Sequence, residues 1–364
     1  MAAPWRDSHT RPVIYHLIGR VVDRSFRLQT EEKERFRMLM RMMENFSGCR
    51  VLAYCLMSNH YHILLEVPPI PKEGLPAEEV FRRLRVLYSD AMVTEIEAAY
   101  ERAKEGGPQE EMARILAQYT YRMYSLSEFM KGLLQRFTSW FNRAHDRTGR
   151  LWEQRFKSVL VQEGVAAKAM AAYIDLNPVR AGMVEDPADY RWSSYSEAVA
   201  GGKKARAGLV RALRVRDYEL AQDRADAELD GPTWRESKRI KKDARRWAQG
   251  SFNKLYRALL LGKGEEKKIE ARVVRKGLSA EKVEQELSSL AGRSTDLSIS
   301  KLIRHRVRYF SDGAAIGGKD FVDEVFRDCR ERFGSKRVTG SRKPRGVLGV
   351  LVGQVWSARD LRVE

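Results

Sequence analysis

The sequence predicts an α+β architecture, with helices packed on a mainly antiparallel sheet. Three observations carry this. Over the first 200 residues the hydrophobic period alternates as strand, helix, strand, strand, helix, strand, helix. Two strand-like runs flank the turn signal Ser58-Asn59 so closely that they must pair as a hairpin. Ser125 and Glu128 form a capping-box pattern in front of a single apolar stripe, Leu126, Phe129, Met130, Leu133, Leu134, Phe137 and Phe141.

The elements follow in order. Residues 13–22 are β-branched and aromatic and read as a strand. Thr30 is placed to cap a helix over 31–47, with Phe36, Leu39, Met40, Met43 and Phe46 at helical spacing and a Met stripe (Met38, Met40, Met42, Met43) filling the core. Residues 50–57 and 61–67 read as the hairpin strands, closed by Pro68, Pro69 and Pro71. Residues 72–124 read as an inserted helical pair split at Gly106-Gly107-Pro108. After the capped helix, 151–162 reads as a fourth strand and 164–176 as a helix that stops near Asn177-Pro178. These elements make a domain over 1–200, linked through Gly201-Gly202-Lys203-Lys204 to a basic, mainly helical region over 205–364.

Composition narrows the function. The chain has 364 residues and a net charge of +18. Residues 1–200 carry 28 Lys+Arg against 26 Asp+Glu, and 201–364 carry 39 against 23, so the excess sits in the second part. Basic clusters at 235–246, 301–308 and 336–345 interleave with Trp234, Trp247, Phe252, Tyr256, Tyr309 and Phe310. Lysines and arginines release counterions from phosphates and aromatic rings stack on bases, so nucleic acid is the expected partner. Arg304, Arg306 and Arg308 are candidate DNA contacts on this ground. No apolar run reaches the length of a membrane helix, so no membrane partner is expected. Cys49, Cys55 and Cys329 form no CxxC pair, which points to a reducing, cytoplasmic compartment.

Chemistry concentrates at two places. His60 and His62 sit at i and i+2 of a strand, so both imidazoles stand on one side of the sheet and could grip one divalent cation, or could be ordinary packing. Tyr173 and Asn177, at i and i+4, share a helix face; the alternative is a core tyrosine followed by an asparagine cap. Together they read as two imidazoles and an amide oxygen holding a metal beside a tyrosine hydroxyl, a phosphoryl-transfer set. His16 and Arg20 share one side of the first strand, facing DNA or metal, or a plain sheet face. Arg155, Lys157 and Arg180 flank the set and could hold phosphates or form structural ion pairs. Gly313–Asp320 nearly fits the phosphate-loop pattern, but Asp320 stands where Ser or Thr would bind Mg²⁺. It reads as a glycine turn feeding a helix over 319–333.

The stretches Met57-Ser58-Asn59-His60-Tyr61-His62, Arg155-Phe156-Lys157-Ser158, Tyr173 to Val184 and Tyr190 to Tyr195 occur in family order over residues 11–200. In them the chain resembles the single-tyrosine HUH transposases, and among these the REP-associated tyrosine transposases. The resemblance implies a ferredoxin-like HUH nuclease core. It implies a single-stranded DNA substrate, hairpin or palindromic, and Mg²⁺ or Mn²⁺. It makes His60, His62 and Asn177 the metal ligands and Tyr173 the nucleophile, giving a 5′-phosphotyrosine and a free 3′-OH. A non-catalytic DNA-binding regulator derived from such a transposase is one alternative; an HUH replication initiator or relaxase is another. Monomer and homodimer are both left open.

Overall fold

The computed structural model describes residues 11–106, 108–213, 236–248, 253, 256–257, 259–260, 267–269, 272–275, 313–334, 337–342 and 356–358. Strand β1 (Val13–Arg20) leads through a short 3-10 turn to helix α1 (Thr30–Ser47), then β2 (Arg50–Leu56) and β3 (His60–Val67). Helices α2 (Ala77–Leu84), α3 (Asp90–Gly106) and α4 (Gln109–Thr120) precede α5 (Leu126–Ala144) and strand β4 (Lys157–Val161). The sheet order begins β2-β3-β1-β4, and every neighbour in that set is antiparallel. Strand, helix, strand, strand, helix, strand in this order is the ferredoxin-like fold. The α+β expectation holds.

The sheet has a covered face on each side, because both parities of its strands are apolar. Tyr15, Leu17, Tyr54, Tyr61, Ile63 and Leu160 face α1 and α5, whose stripe of Phe36, Phe129, Leu133 and Phe137 is fully buried. Ile14, Leu52, Leu64, Val159 and Val161 face the other way. They are covered by α6 (Val165–Asp175), the one-turn α7 (Asn177–Arg180), α8 (Ser194–Val199) and α9 (Lys203–Leu213). The second face holds His16, His60 and His62.

Several expectations are corrected. The helix at 30 is capped one residue earlier: Gln29 N–H donates to Glu32 Oε2 at 2.9 Å, and Thr30 lies inside the first turn. In the Met stripe, Met40 and Met43 are buried but Met38 is exposed. The insertion holds three helices, because Ser89 opens a new one: its Oγ accepts from Met92 N–H at 3.4 Å. The fourth strand is shorter than expected. Trp152 only bridges Val21, residues 153–155 bend, and the ladder starts at Lys157. Ser125 caps α5 as expected, accepting from Glu128 N–H at 3.3 Å.

Beyond the boundary expected near 200–205, the chain returns to the first sheet. Strand β4 pairs in parallel with β7 (Ala315–Gly317), which pairs antiparallel with β8 (Trp356–Ala358), so the second part of the chain completes a six-stranded sheet. A separate two-stranded ribbon, β5 (Lys267–Ile269) with β6 (Arg272–Arg275), adds strands to a region expected to be mainly helical. Helix α10 (Glu236–Ala248) packs on α9 and buries Trp247; Tyr256 is buried too. Those two aromatics are core residues rather than base-stacking platforms. Trp234, Phe252, Tyr309 and Phe310 lie outside the described residues, as do Arg304, Arg306 and Arg308. The glycine turn at 313–318 does feed a helix, α11 (Lys319–Asp328), shorter than the expected 319–333 because a 3-10 turn follows at Arg330–Arg332; Gly318 N–H donates to Gln162 Oε1 at 2.6 Å and Lys319 pairs with Asp323.

Candidate active site

The antiparallel register gathers the site at one end of the sheet. Arg20 pairs opposite His60, Ile18 opposite both His62 and Lys157, and His16 opposite Leu64 and Val159. Residues two apart share a face. His16, Arg20, His60, His62 and Lys157 therefore form one patch across three strands, and α6 lies over its inner part.

Each imidazole is oriented by a partner. Asn59 Nδ2 donates to the Arg24 carbonyl at 3.1 Å, which turns Asn59 Oδ1 toward His60 Nδ1 at 2.6 Å. An amide oxygen only accepts, so the His60 proton sits on Nδ1 and its Nε2 keeps a lone pair. His62 Nδ1 lies 2.9 Å from His16 Nε2, with the two rings stacked at 5.1 Å. In the tautomer that donates from His62 to His16, His62 Nε2 also keeps its lone pair. Burial, and then the Arg20 charge, lower the His60 pKa to about 4. Burial also holds His62 well below its ordinary value, helped by the neighbouring His60, His16, Arg180 and Arg20. Both rings are neutral at pH 7, the form that ligates a metal. A neutral imidazole with Nδ1 engaged and Nε2 available fits a divalent cation, and outer partners of this kind orient metal-bound histidines. Among the described residues no three His, Cys, Asp or Glu side chains form a metal cage. The donor set present is two imidazoles plus whatever an amide adds.

Tyr173 is brought to the same place by α6. Its ring stands edge-on to His62 at 5.7 Å and to His16 at 5.9 Å, with the Arg180 guanidinium 4.8 Å over its face. It is 1% exposed. Asn177 follows the end of α6, and its Nδ2 donates to the carbonyls of Tyr173 and Ile174 at 3.0 and 3.2 Å. The amide nitrogen thus caps the helix, and Oδ1 is the atom left for any ligand. Two residues earlier, Asp175 anchors this turn. It accepts from Ser194 Oγ at 2.7 Å, Tyr195 N–H at 3.0 Å and Tyr256 Oη at 2.6 Å.

Arg20, singled out with His16, and Arg155 and Lys157, singled out with Arg180, line a single pocket of about 260 Å³ with Ile18, Gly19, Arg24, Glu153 and Gln154. Arg24 carried no sequence signal. His16 was legible as facing DNA or metal, or a plain sheet face, and Asn59 as a turn residue within the Met57–His62 motif; the sequence did not show either as a partner of an imidazole.

Residues 10–77 match the family described as transposase IS200 like. That stretch spans β1 through β3, includes both histidines of the hairpin, and ends before α6. The resemblance drawn from the motifs is thus borne out over it. A solved structure of a REP-associated tyrosine transposase bound to a REP hairpin is similar at 15% identity, over 54% of this chain and 86% of that one, with a TM-score of 0.32. No curated protein matches the chain. No helix among the described residues is long and apolar enough to cross a membrane.

Proposed function

We propose that this chain is a transposase-type enzyme that nicks and rejoins single-stranded or hairpin DNA through a covalent bond to Tyr173. The observation that carries the reading is the convergence of the Tyr173 ring on His62 and His16, beside two imidazoles held neutral with their Nδ1 atoms engaged. His60 and His62 would hold Mg²⁺ or Mn²⁺, with Asn177 Oδ1 as a third ligand, and the cation would polarise a phosphodiester oxygen. The protein's own groups do the rest. Tyr173 Oη forms a bond to phosphorus as the P–O3′ bond breaks; the phenolic proton leaves to solvent and the 3′ oxygen takes up a proton. Attack by a 3′-OH on the phosphotyrosine reverses these bonds, so rejoining needs no nucleotide cofactor. Arg180, over the Tyr173 ring, adds positive charge where a phosphate would approach. Arg20, Arg155 and Lys157 would grip the flanking backbone.

One observation favours a second reading, a DNA-binding regulator without chemistry: Tyr173 is 1% exposed, so DNA reaches it only if the cover over α6 moves. A denaturing gel separates the two. Strands from the flanks of the protein's own gene are mixed with the chain, with and without Mn²⁺, beside Tyr173→Phe. A metal-dependent protein–DNA adduct that the variant lacks supports the enzyme. DNA binding by both proteins with no adduct supports the regulator.

A further inference from the structure

The segment between β1 and α1 carries an aromatic ring that the core does not use. Phe26 is 72% exposed, on a loop whose backbone is tied down at every turn. Val22 N–H donates to the Leu151 carbonyl and Leu28 N–H to the Ser58 carbonyl, both at 2.9 Å. Gln29 Nε2 donates to the Phe26 carbonyl itself at 2.7 Å. Asp23 and Arg24, neither a glycine, both adopt left-handed backbone, at φ 57 and 53. Such residues cost free energy and persist where the surroundings over-determine them, often at ligand sites. The Asn59 bond to the Arg24 carbonyl couples this loop directly to His60.

Charge accompanies the ring. Arg24, two residues before Phe26, shares its pocket with Arg20, Arg155 and Lys157, against one carboxylate, Glu153. An exposed ring on a fixed loop whose Arg24 lines a cationic pocket is the composition of a single-strand nucleic-acid site, where rings stack bases and cations track phosphates. We propose that the 22–29 loop is a nucleotide clamp: Phe26 stacks one unpaired base of the DNA strand next to His60, and Arg24 completes the cationic pocket that takes the adjoining phosphates. The clamp rests on the nuclease reading and adds to it a reason for single-strand preference, since a base inside a duplex offers no free face.

The test uses the full chain and two fluorescent probes, a single strand from the gene's flank and the same backbone with abasic sites in place of its bases. Phe26→Ala should weaken binding of the base-bearing strand about 5- to 100-fold and leave the abasic strand within about twofold. Phe26→Trp should restore the loss. Arg24→Ala should weaken both strands alike and lower the slope of log affinity against log salt by about 0.7. Phe26 is exposed, so melting temperature should not move and folding is not in question. Unchanged affinity of Phe26→Ala for the base-bearing strand, with the Mn²⁺-dependent adduct intact, overturns the clamp alone. The same unchanged affinity with a shift in sedimentation overturns it in favour of a contact between copies of the chain. Wild-type protein that binds neither strand overturns both the clamp and the nuclease reading.

Discussion

His60 and His62 illustrate how a second layer of residues decides what the first can do. Neither ring would be fixed in orientation by strand geometry alone; Asn59 and His16 supply the partners at Nδ1. Outer partners of this kind are worth about 10- to 100-fold in metal affinity. His16→Leu, close in size and unable to accept a hydrogen bond, should therefore weaken Mn²⁺ binding by about that factor, read by calorimetric titration, with the fold retained. Unchanged affinity would mean that His16 is core filling. Asp175 gives a pH signature of its own. Burial raises its pKa from the ordinary 3.8 to about 6 despite the hydrogen bonds from Tyr256, Ser194 and Tyr195 that favour the carboxylate. Between these values only the folded state holds the proton, so stability falls as pH rises from 3.8 to 6 and is level above. The difference in unfolding free energy between wild type and Asp175→Asn should shift by about 2 kcal/mol against wild type between pH 4 and pH 7. Denaturant titrations at pH 4 and pH 7 measure it, and a pH-independent difference would refute it.

At the scale of elements, close approach replaces side-chain packing at one crossing. A Cβ on Gly208 of α9 would run into the backbone carbonyls of Val51 and Leu52 on β2. Backbone cannot yield as a flexible side chain does. Gly208→Ala should cost about 1–3 kcal/mol, seen as a lower melting temperature. Stability equal to wild type would show that α9 is free to move off the sheet. The same crossing carries a buried ion pair, Arg211 to Glu66 at 2.7 Å, with Arg50 on the other carboxylate oxygen at 3.1 Å. The helices of the insertion, by contrast, sit on the α1–α5 side, away from the histidine face.

For the whole molecule, the basic second part is also structural. It supplies α9, the Tyr256 hydroxyl on Asp175, and β7 and β8 against the open edge of β4. The composition alone suggests that deleting 205–364 would weaken DNA binding and flatten its salt dependence. The structure changes that expectation: the truncated chain should lose cooperative unfolding and expose a sheet edge that promotes aggregation. The charge argument is better tested on the exposed face of α10. Replacing Lys241 and Arg245 by glutamine should lower the salt slope of single-strand binding by up to about 1.4 with melting unchanged. A slope identical to wild type would remove α10 from the DNA-binding surface.

The order of strands and helices, the Ser58-Asn59 hairpin, the capped α5, the i, i+2 spacing of His60 and His62 on a strand and the helix that carries Tyr173 were all legible in the sequence, because each is set by residues within about one element length of one another. Hydrophobic period and capping are local signals. Tertiary structure alone decided the rest. His16 meets His62 across a strand register, and Arg20 and Arg24 meet Arg155 and Lys157 across a sheet, 46 to more than 130 residues apart in the chain. The basic region looked separable because charge is counted along the chain. In the structure it joins the same sheet, because the edge of β4 needs hydrogen-bond partners and residues from 314 on provide them.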